Sequence, residues 1–363
     1  MSFYISAVHY VSFKKPSRYA LASVVNANPC TGQTGLRMRG ADKNVRDSMA
    51  HMMPICVEEL KKSYAGTPAV AGISFQVQAG ETYALLGPNG AGKTTTIEIL
   101  EGYRKRDGGI VEVLGADPGR ESTGLRAKIG IVLQSTALEP ELTVAETVAN
   151  FRSFYPNPHG VDEVLELVDL SFARGTRVKA LSGGQQRRLE IGLGLIGNPD
   201  LIFLDEPTTG LDPDARRNIW SLVLELNAMG KTILLSSHYM DEVEALAHRI
   251  AVLVAGQIKA EGTPQSLRDQ HGGYTEVRFY LGERPLPESF PAALRSIIHQ
   301  ERGWVIFEVP NPTPFLADLT NWSFKEQFEL PHLNVTQPSL EEIYLNLTRG
   351  RRGEARAAKP VEA

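Results

Sequence analysis

Apolar residues along this chain follow patterns that predict an α/β fold. Short segments that are apolar at nearly every position, such as residues 201–205 and 250–255, have the length of strands buried on both faces of a sheet. Residues 73–77 instead alternate apolar and polar side chains, which is typical of a half-buried antiparallel strand. Apolar positions also recur at helical spacing, and four of them are predicted to be core: Val161, Val164, Leu165 and Val168.

The pattern also predicts where domains begin and end. Residues 54–270 alternate strands and helices and are predicted to form one large α/β domain. Residues 1–53 lack this periodicity and contain a run of turn-forming residues at 26–35. We expect residues 1–53 to be a disordered extension or the product of a start codon assigned too early.

A different arrangement is predicted for residues 271–348. Two strands and a helix there indicate a small α+β domain, with the segments at residues 274–280, 304–309 and 292–299. Ser339 and Glu342 have the spacing of a capping box. It opens a helix whose apolar face comprises Leu340, Ile343, Tyr344 and Leu347. The charged, alanine-rich residues 349–363 are predicted to be disordered.

Composition and charge narrow the class of protein. The 363 residues are 42% hydrophobic and 22% charged, which is ordinary for a globular protein. The formal net charge of −4 argues against a general nucleic-acid binder, so no nucleic-acid partner is expected. No apolar run reaches the roughly 18 residues that span a bilayer. A function at a membrane would therefore require a separate partner inside it.

The most specific chemical signal is a glycine-rich loop between a predicted strand at residues 81–86 and a predicted helix at 93–100. Residues 87–94 match the P-loop pattern G-x-x-x-x-G-K-[ST]. In such a loop, backbone N–H groups and the helix N-terminus point at phosphate oxygens. The loop is expected to bind ATP and Mg²⁺, with Lys93 on the β- and γ-phosphates and the Thr94 hydroxyl on the metal. The nucleotide-binding residues predicted here are Gly87, Pro88, Asn89, Gly90, Ala91, Gly92, Lys93, Thr94 and Thr95.

A pair of carboxylates follows another buried strand. Asp205 and Glu206 end the apolar run that begins at residue 201, and buried strands rarely end in two acids. In P-loop proteins such an aspartate holds Mg²⁺, so Asp205 takes that role. Glu206 is expected to point the other way and to polarise the attacking water. Asp212 lies in the turn that follows.

Four further features of the sequence have both a functional and an ordinary interpretation. Ser182, Gly183, Gly184 and Gln185 open a helix as a second anion-binding N-terminus or, alternatively, as an ordinary capped helix start. His238 ends a predicted strand and either reaches the γ-phosphate or is structural. Tyr64 either stacks on the adenine ring or packs on the surface. Gln134 either reaches Mg²⁺ or a water molecule, or is a solvated strand end.

Together these motifs resemble the nucleotide-binding subunit of ABC transporters over about residues 55–270. In this resemblance Tyr64 is the adenine-stacking aromatic, residues 87–95 are Walker A and Gln134 is the Q-loop. The family signature, Walker B, the D-loop and the switch histidine are represented by residues 181–185, residues 201–206, Asp212 and His238. The fold implied is a RecA-like P-loop core with an antiparallel β subdomain and a helical subdomain. Residues 338–348 resemble the C-terminal end of drug-resistance-type ABC exporters.

The resemblance implies catalytic roles for Glu206, His238 and Gln134, and metal ligation by Thr94, Gln134 and Asp205. It also implies that two ATPase subunits pair head to tail, so that each signature closes on the ATP held by the other; a homodimer is the simplest form. The subunit would bind a separately encoded permease on the cytoplasmic face of the cell membrane.

Two other interpretations compete with an exporter subunit. Non-transport ABC ATPases act on ribosomes or DNA, but they normally carry two ATPase domains or a long coiled coil, and neither pattern is present in this sequence. A regulatory, inactive ATP-binding subunit is disfavoured by the intact Glu206 and His238.

Overall fold

The computed structural model describes residues 52–120, 123–133, 137–271, 274–291, 294 and 298–349. The predictions for residues 1–51 and 350–363, and the roles expected of Gln134, lie outside the described residues. No helix in the described part of the chain combines the length and the apolar character that crossing a bilayer requires.

The large domain contains two sheets. A three-stranded antiparallel sheet has the order β2-β1-β4, from β1 Ile55–Tyr64, β2 Thr67–Val77 and β4 Gly108–Val113. A six-stranded sheet has the order β5-β6-β7-β3-β8-β9, from β3 Thr82–Leu86, β5 Ile129–Val132, β6 Leu201–Asp205, β7 Thr232–Ser237, β8 Arg249–Val254 and β9 Gln257–Gly262. Only β9 is antiparallel to its neighbour. The carboxyl ends of the parallel strands therefore meet at one edge.

Helices surround the six-stranded sheet. In chain order they are α1 Lys93–Leu100, α2 Thr123–Arg126, α3 Val144–Arg152, α4 Val161–Leu167, α5 Gly183–Leu195, α6 Pro213–Ala228, α7 Met240–Leu246 and α8 Pro264–His271. The positions predicted to be core, from Val161 at the start of α4 to Val168 just after it, are buried or packed against the core. The mixed α/β fold predicted from the sequence is thus confirmed.

Alternate residues of the central strands supply two separate cores. Ala84 and Leu86 of β3 face a cluster that includes α5, α6 and α7, whereas Tyr83 and Leu85 face the antiparallel sheet and α1. This is the period of two that a strand imposes on its side chains. Apolar residues on both faces explain why these strands are apolar at nearly every position.

The C-terminal part forms a second four-stranded antiparallel sheet. Its order is β11-β12-β10-β13, from β10 Thr275–Tyr280, β11 Ile298–Glu301, β12 Trp304–Val309 and β13 Asn334–Thr336, and helix α9 Pro312–Glu326 packs on it. The prediction of a helix at residues 292–299 is wrong at its C-terminal end, and residues 292, 293 and 295–297 lie outside the described residues. Residues 298 and 299 pair with Phe307 and Ile306 of β12, so strand pairing overrides the local helical pattern.

The last helix of the described residues returns to the large domain. Helix α10 Leu340–Arg349 begins with the predicted capping box, in which Ser339 and Glu342 exchange hydrogen bonds of 3.0 and 3.2 Å. Leu340 is buried in the core cluster that contains α5, α6 and α7, and Tyr344 and Leu347 pack against it. Helix α10 lies against α8 and α7. The domain boundaries at residues 54–270 and 271–348 stay a prediction.

Candidate active site

The P-loop joins β3 to α1 and is enclosed by neighbouring backbone. Gly92 has φ of +104°, and a Cβ there would lie 2.4 Å from the carbonyl oxygen of Ala69. A Cβ at Gly87 would lie 2.3 Å from the carbonyl oxygen of Leu253. Only glycine avoids these contacts, and at Gly92 only glycine adopts the backbone without strain. The loop therefore approaches β2 and β8 closely because its ends lack side chains.

Lys93 folds back over the loop. Its Nζ donates to the carbonyl oxygen of Gly87 at 2.7 Å and lies 3.5 Å from Oε1 of Glu206. The side chain is only 4% exposed. Burial lowers the pKa of Lys93, and the nearby carboxylate of Glu206 acts in the opposite direction. The ammonium is thus enclosed by oxygen atoms that an incoming phosphate can replace.

Asp205 ends β6 beside the start of α1. The Thr94 hydroxyl donates to Oδ1 of Asp205 at 3.4 Å, and the Ser236 hydroxyl on β7 donates to the same oxygen. Asp205 is buried. A hydroxyl and a carboxylate that converge in this way are hard oxygen donors, which are the ligands that Mg²⁺ prefers.

Glu206 leaves the strand in a different direction from Asp205. Its backbone is left-handed, with φ of +47°, and its N–H donates to the carbonyl oxygen of Ser236 at 3.2 Å. Oε1 lies 3.3 Å from Nδ1 of His238, and Oε2 accepts a hydrogen bond of 3.1 Å from the Thr209 hydroxyl. The turn out of the strand gives the two adjacent carboxylates different partners.

Three of these residues, Lys93, Thr94 and Glu206, line a cavity of about 340 Å³ at the carboxyl edge of the parallel strands, and Asp205 and His238 adjoin Thr94 and Glu206 just outside that lining. It is lined by Ala69, Asn89, Gly90, Gly92, Lys93, Thr94, Thr95 and Glu206. A P-loop, an ammonium, a hydroxyl and a carboxylate on one cavity can bind a triphosphate and hold a water molecule beside it.

Tyr64 lies at the end of β1 and is not part of the cavity lining. The residue is 40% exposed, and the Arg104 guanidinium lies 5.2 Å from the centroid of its ring. Its strand pairs with β2, which contacts the P-loop at Ala69. Adenine stacking on Tyr64 remains a prediction.

The predicted signature residues also lie apart from this cavity. The Ser182 hydroxyl accepts from the N–H of Gln185 at 3.3 Å and caps α5, as in the ordinary interpretation. Asp212 caps α6 in the same way, accepting from the N–H of Ala215 at 2.9 Å. A Cβ at Gly184 would lie 3.0 Å from the Cβ of Ala215, so the two helix starts pack together.

Sequence analysis missed Arg187, which is buried behind the carboxylate pair. Its guanidinium donates to the carbonyl oxygens of Pro207 at 2.7 Å, Leu133 at 2.6 Å and Asp205 at 3.2 Å. It also pairs with Glu190 at 2.6 Å. A basic residue four positions before the buried Ile191 is the sequence signal for this role, because both lie on one helix face.

Comparisons with known proteins identify the family. The ABC transporter family profile matches residues 70–209. The linearmycin resistance ATP-binding protein of Bacillus subtilis is 36% identical over 80% of this chain and 97% of its own length. The Nod factor export ATP-binding protein I of Burkholderia pseudomallei is 38% identical over 81% of this chain and 97% of its own.

Solved structures agree with this assignment. An ATP-binding cassette of an ABC transporter in its ADP conformation superposes with a TM-score of 0.54 at 30% identity, over 59% of this chain and 92% of that one. A dimeric ATP-binding cassette bound to ADP and phosphate gives a TM-score of 0.52 at 27% identity, over 58% and 98%.

The chain belongs to the ABC transporter family. It is an ATP-binding subunit of the exporter type and an ATPase, as the motifs in its sequence predict. Cassettes of this family dimerise and work with membrane permeases.

Proposed function

We propose that this chain hydrolyses Mg²⁺-ATP in the P-loop cavity as one half of a head-to-tail pair, most simply with a second copy of itself. The pair would drive export through a separate permease at the cytoplasmic face of the membrane, where ATP is available. The observation that carries the proposal is the convergence of Lys93, Thr94, Asp205, Glu206 and His238 on one edge of the sheet.

Each of these side chains has a distinct task. Lys93 would exchange its contact with Glu206 for the β- and γ-phosphates, because a phosphate carries more negative charge than a carboxylate. Glu206 would then accept the proton of the attacking water, and general-base catalysis of this kind contributes about 10²–10⁴-fold. His238 would contact both the γ-phosphate and Glu206 and would thereby fix their relative position.

Thr94 and Asp205 fit a magnesium ion. Their oxygens converge within 3.4 Å, and Ser236 orients the carboxylate by hydrogen bonding to it. When bound there, Mg²⁺ would neutralise negative charge on the phosphates. Gln134 is proposed as a further ligand of the ion, and Tyr64 as the platform for adenine.

The position of the signature supports the pairing. Ser182 and Gly184 open α5 next to α6 and do not line the cavity of their own chain. An anion-binding helix start that lies outside the nucleotide cavity of its own chain suits the nucleotide of a second subunit. Asp212 caps α6 at the same place and would lie in the same interface.

The experiment mixes two inactive chains. Lys93→Ala removes the phosphate ligand, and Ser182→Arg blocks the signature while leaving the P-loop of its own chain intact. We expect each variant alone to lose ATP hydrolysis, and the mixture to regain part of it, because one interface of each mixed dimer carries neither lesion. A mixture that contains mixed dimers, shown by native mass spectrometry, and still lacks activity would contradict the shared site.

A further inference from the structure

A buried carboxylate that the mechanism above does not use lies directly behind the active site. Glu242, in the first turn of α7, has no solvent exposure. Its Oε1 accepts hydrogen bonds from the Thr208 hydroxyl at 2.8 Å and from Nε1 of Trp220 at 3.3 Å. Its Oε2 accepts one from the Ser237 hydroxyl at 2.5 Å. Three separate segments of the chain thus meet on one side chain.

The bond to Ser237 fixes the turn that carries His238. The Ser237 hydroxyl donates to Glu242 and accepts from the N–H of Tyr239 at 3.0 Å, so it bridges the residues on either side of the histidine. The ring of Tyr239 also lies against the guanidinium of Arg216, which is 4.2 Å from the ring centroid. The backbone around His238 therefore has little freedom to shift relative to α7.

The bond to Thr208 fixes the loop that carries Glu206. Thr208 is fully buried, and the next residue, Thr209, donates to Oε2 of Glu206 at 3.1 Å. Glu242 consequently ties together the two segments that carry Glu206 and His238, whose side chains lie 3.3 Å apart.

Burying a carboxylate to join these segments is energetically unfavourable. Burial raises the pKa of Glu242, and its hydrogen bonds only partly oppose that effect. Apolar side chains of similar volume often stabilise a fold as well as buried charged groups do, so stability alone does not account for Glu242. Its hydrogen bonds instead fix the position of the segment that carries Glu206 relative to the turn that carries His238.

We propose that Glu242 is a positioning residue for ATP hydrolysis, which sets the spacing of Glu206 and His238 through Thr208 and Ser237. The inference rests on the roles proposed above for Glu206 and His238. A displacement of about 1 Å at a reacting group costs on the order of 10²-fold in rate. Loss of either tie should therefore slow hydrolysis without weakening ATP binding.

Two substitutions each sever one tie. Ser237→Ala releases the turn of His238, and Thr208→Val releases the loop of Glu206. We expect each to lower kcat by roughly 10- to 100-fold while KM for ATP stays nearly constant. Thr147→Val is the matched control, because it removes a buried hydroxyl of α3 that donates to the carbonyl oxygen of Thr143, the N-cap of that helix. The control should keep the parental kcat, and a parental kcat in Ser237→Ala and Thr208→Val would overturn the proposal.

Substitutions of Glu242 itself separate positioning from packing. Glu242→Gln can still accept from Thr208 and can donate to Ser237, whose hydroxyl then turns to the Tyr239 carbonyl oxygen, 3.4 Å away. Glu242→Leu keeps the volume and removes every bond. We expect the glutamine variant to retain much more of the parental kcat than the leucine variant. Equal kcat in the two folded proteins would overturn the proposal.

A double-mutant cycle identifies the residue through which the tie acts. In a His238→Ala background, Ser237→Ala should add no further loss, since the group that it positions is already absent. Additive losses of kcat in the double variant would overturn this inference and leave the proposed role of His238 unaffected. A His238→Ala protein that hydrolyses ATP at the parental rate would overturn the proposed role of His238, and this inference with it.

Discussion

The ammonium of Lys93 lies 3.5 Å from the carboxylate of Glu206, and both side chains are almost completely buried. The group proposed to bind phosphate and the group proposed to activate water are therefore direct neighbours, and substitutions of the two residues test one site.

Glu206→Gln should retain ATP binding and lose hydrolysis. The amide keeps the shape and can still bond to water, but it cannot accept a proton, so kcat should fall by about 10²–10⁴-fold. A phosphate-release assay with saturating ATP measures this, and a parental rate would mean that Glu206 is not the base. The unhydrolysed ATP should also hold two copies together. Size-exclusion chromatography with light scattering should show a dimer in ATP and a monomer in ADP.

Lys93→Ala should weaken ATP binding by roughly 10- to 100-fold, because hydrogen bonds to charged groups contribute about 1.5–3 kcal/mol each. Isothermal titration calorimetry measures the loss. Lys105→Ala, which removes an exposed lysine beyond α1, is the control and should bind ATP normally. An unchanged affinity in Lys93→Ala would place the nucleotide elsewhere.

Arg187→Met should lower both stability and activity. It leaves the carbonyl oxygens of Leu133, Asp205 and Pro207 without their donor, and each unsatisfied buried group costs about 1–3 kcal/mol. Urea unfolding and kcat measure the two effects. The exposed Arg217→Met on α6 should change the free energy of unfolding by less than about 1 kcal/mol. Equal free energies of unfolding for Arg187→Met and Arg217→Met would show that Arg187 does not stabilise the segment around Asp205 and Pro207.

Glu101 should make the stability of the protein depend on pH. Burial, and then the charge of Asp205, raise the pKa of Glu101 to about 8 in the folded state. The unfolded state therefore ionises first, so this group's contribution to stability is complete below its ordinary pKa and is lost as the pH rises towards about 8. Glu101→Gln should raise Tm at about pH 9 more than at about pH 5. The exposed Glu225→Gln should show no such difference, and a pH-independent effect of Glu101→Gln would contradict the assignment.

Leu340→Ala should destabilise the ATPase domain although it lies in the last helix. Leu340 is 1% exposed within the core shared with α5, α6 and α7, and truncation of buried leucines costs about 2–5 kcal/mol. In urea, the folded structure and the ATP hydrolysis activity of Leu340→Ala should both be lost at a lower urea concentration than in the parent protein. Glu341→Ala, at an exposed position of α10, is the control. Unchanged stability of the domain in Leu340→Ala would mean that α10 is not part of its core.

Much of the fold and of the candidate site could be predicted because the signals are local. The P-loop lies within nine residues, Asp205 and Glu206 are adjacent, and each capping box joins residues three positions apart. Strands buried on both faces are apolar at nearly every position, so β3, β6, β7 and β8 were recognisable as well.

Only the tertiary structure decided the relationships between residues that are distant in the chain. Arg187 reaches Leu133 and Pro207, Glu242 joins Thr208 to Ser237, and Leu340 enters the core of the large domain. No period or spacing in a sequence specifies that β6 lies between β5 and β7, and that order places Leu133, Pro207 and Ser237 at neighbouring strand ends. Residues 298 and 299 show the same limit, because a pattern that suits a helix became a strand once β12 was beside it. The sequence by itself determined which chemical groups the protein uses, and the packing of its elements decided what holds them in place.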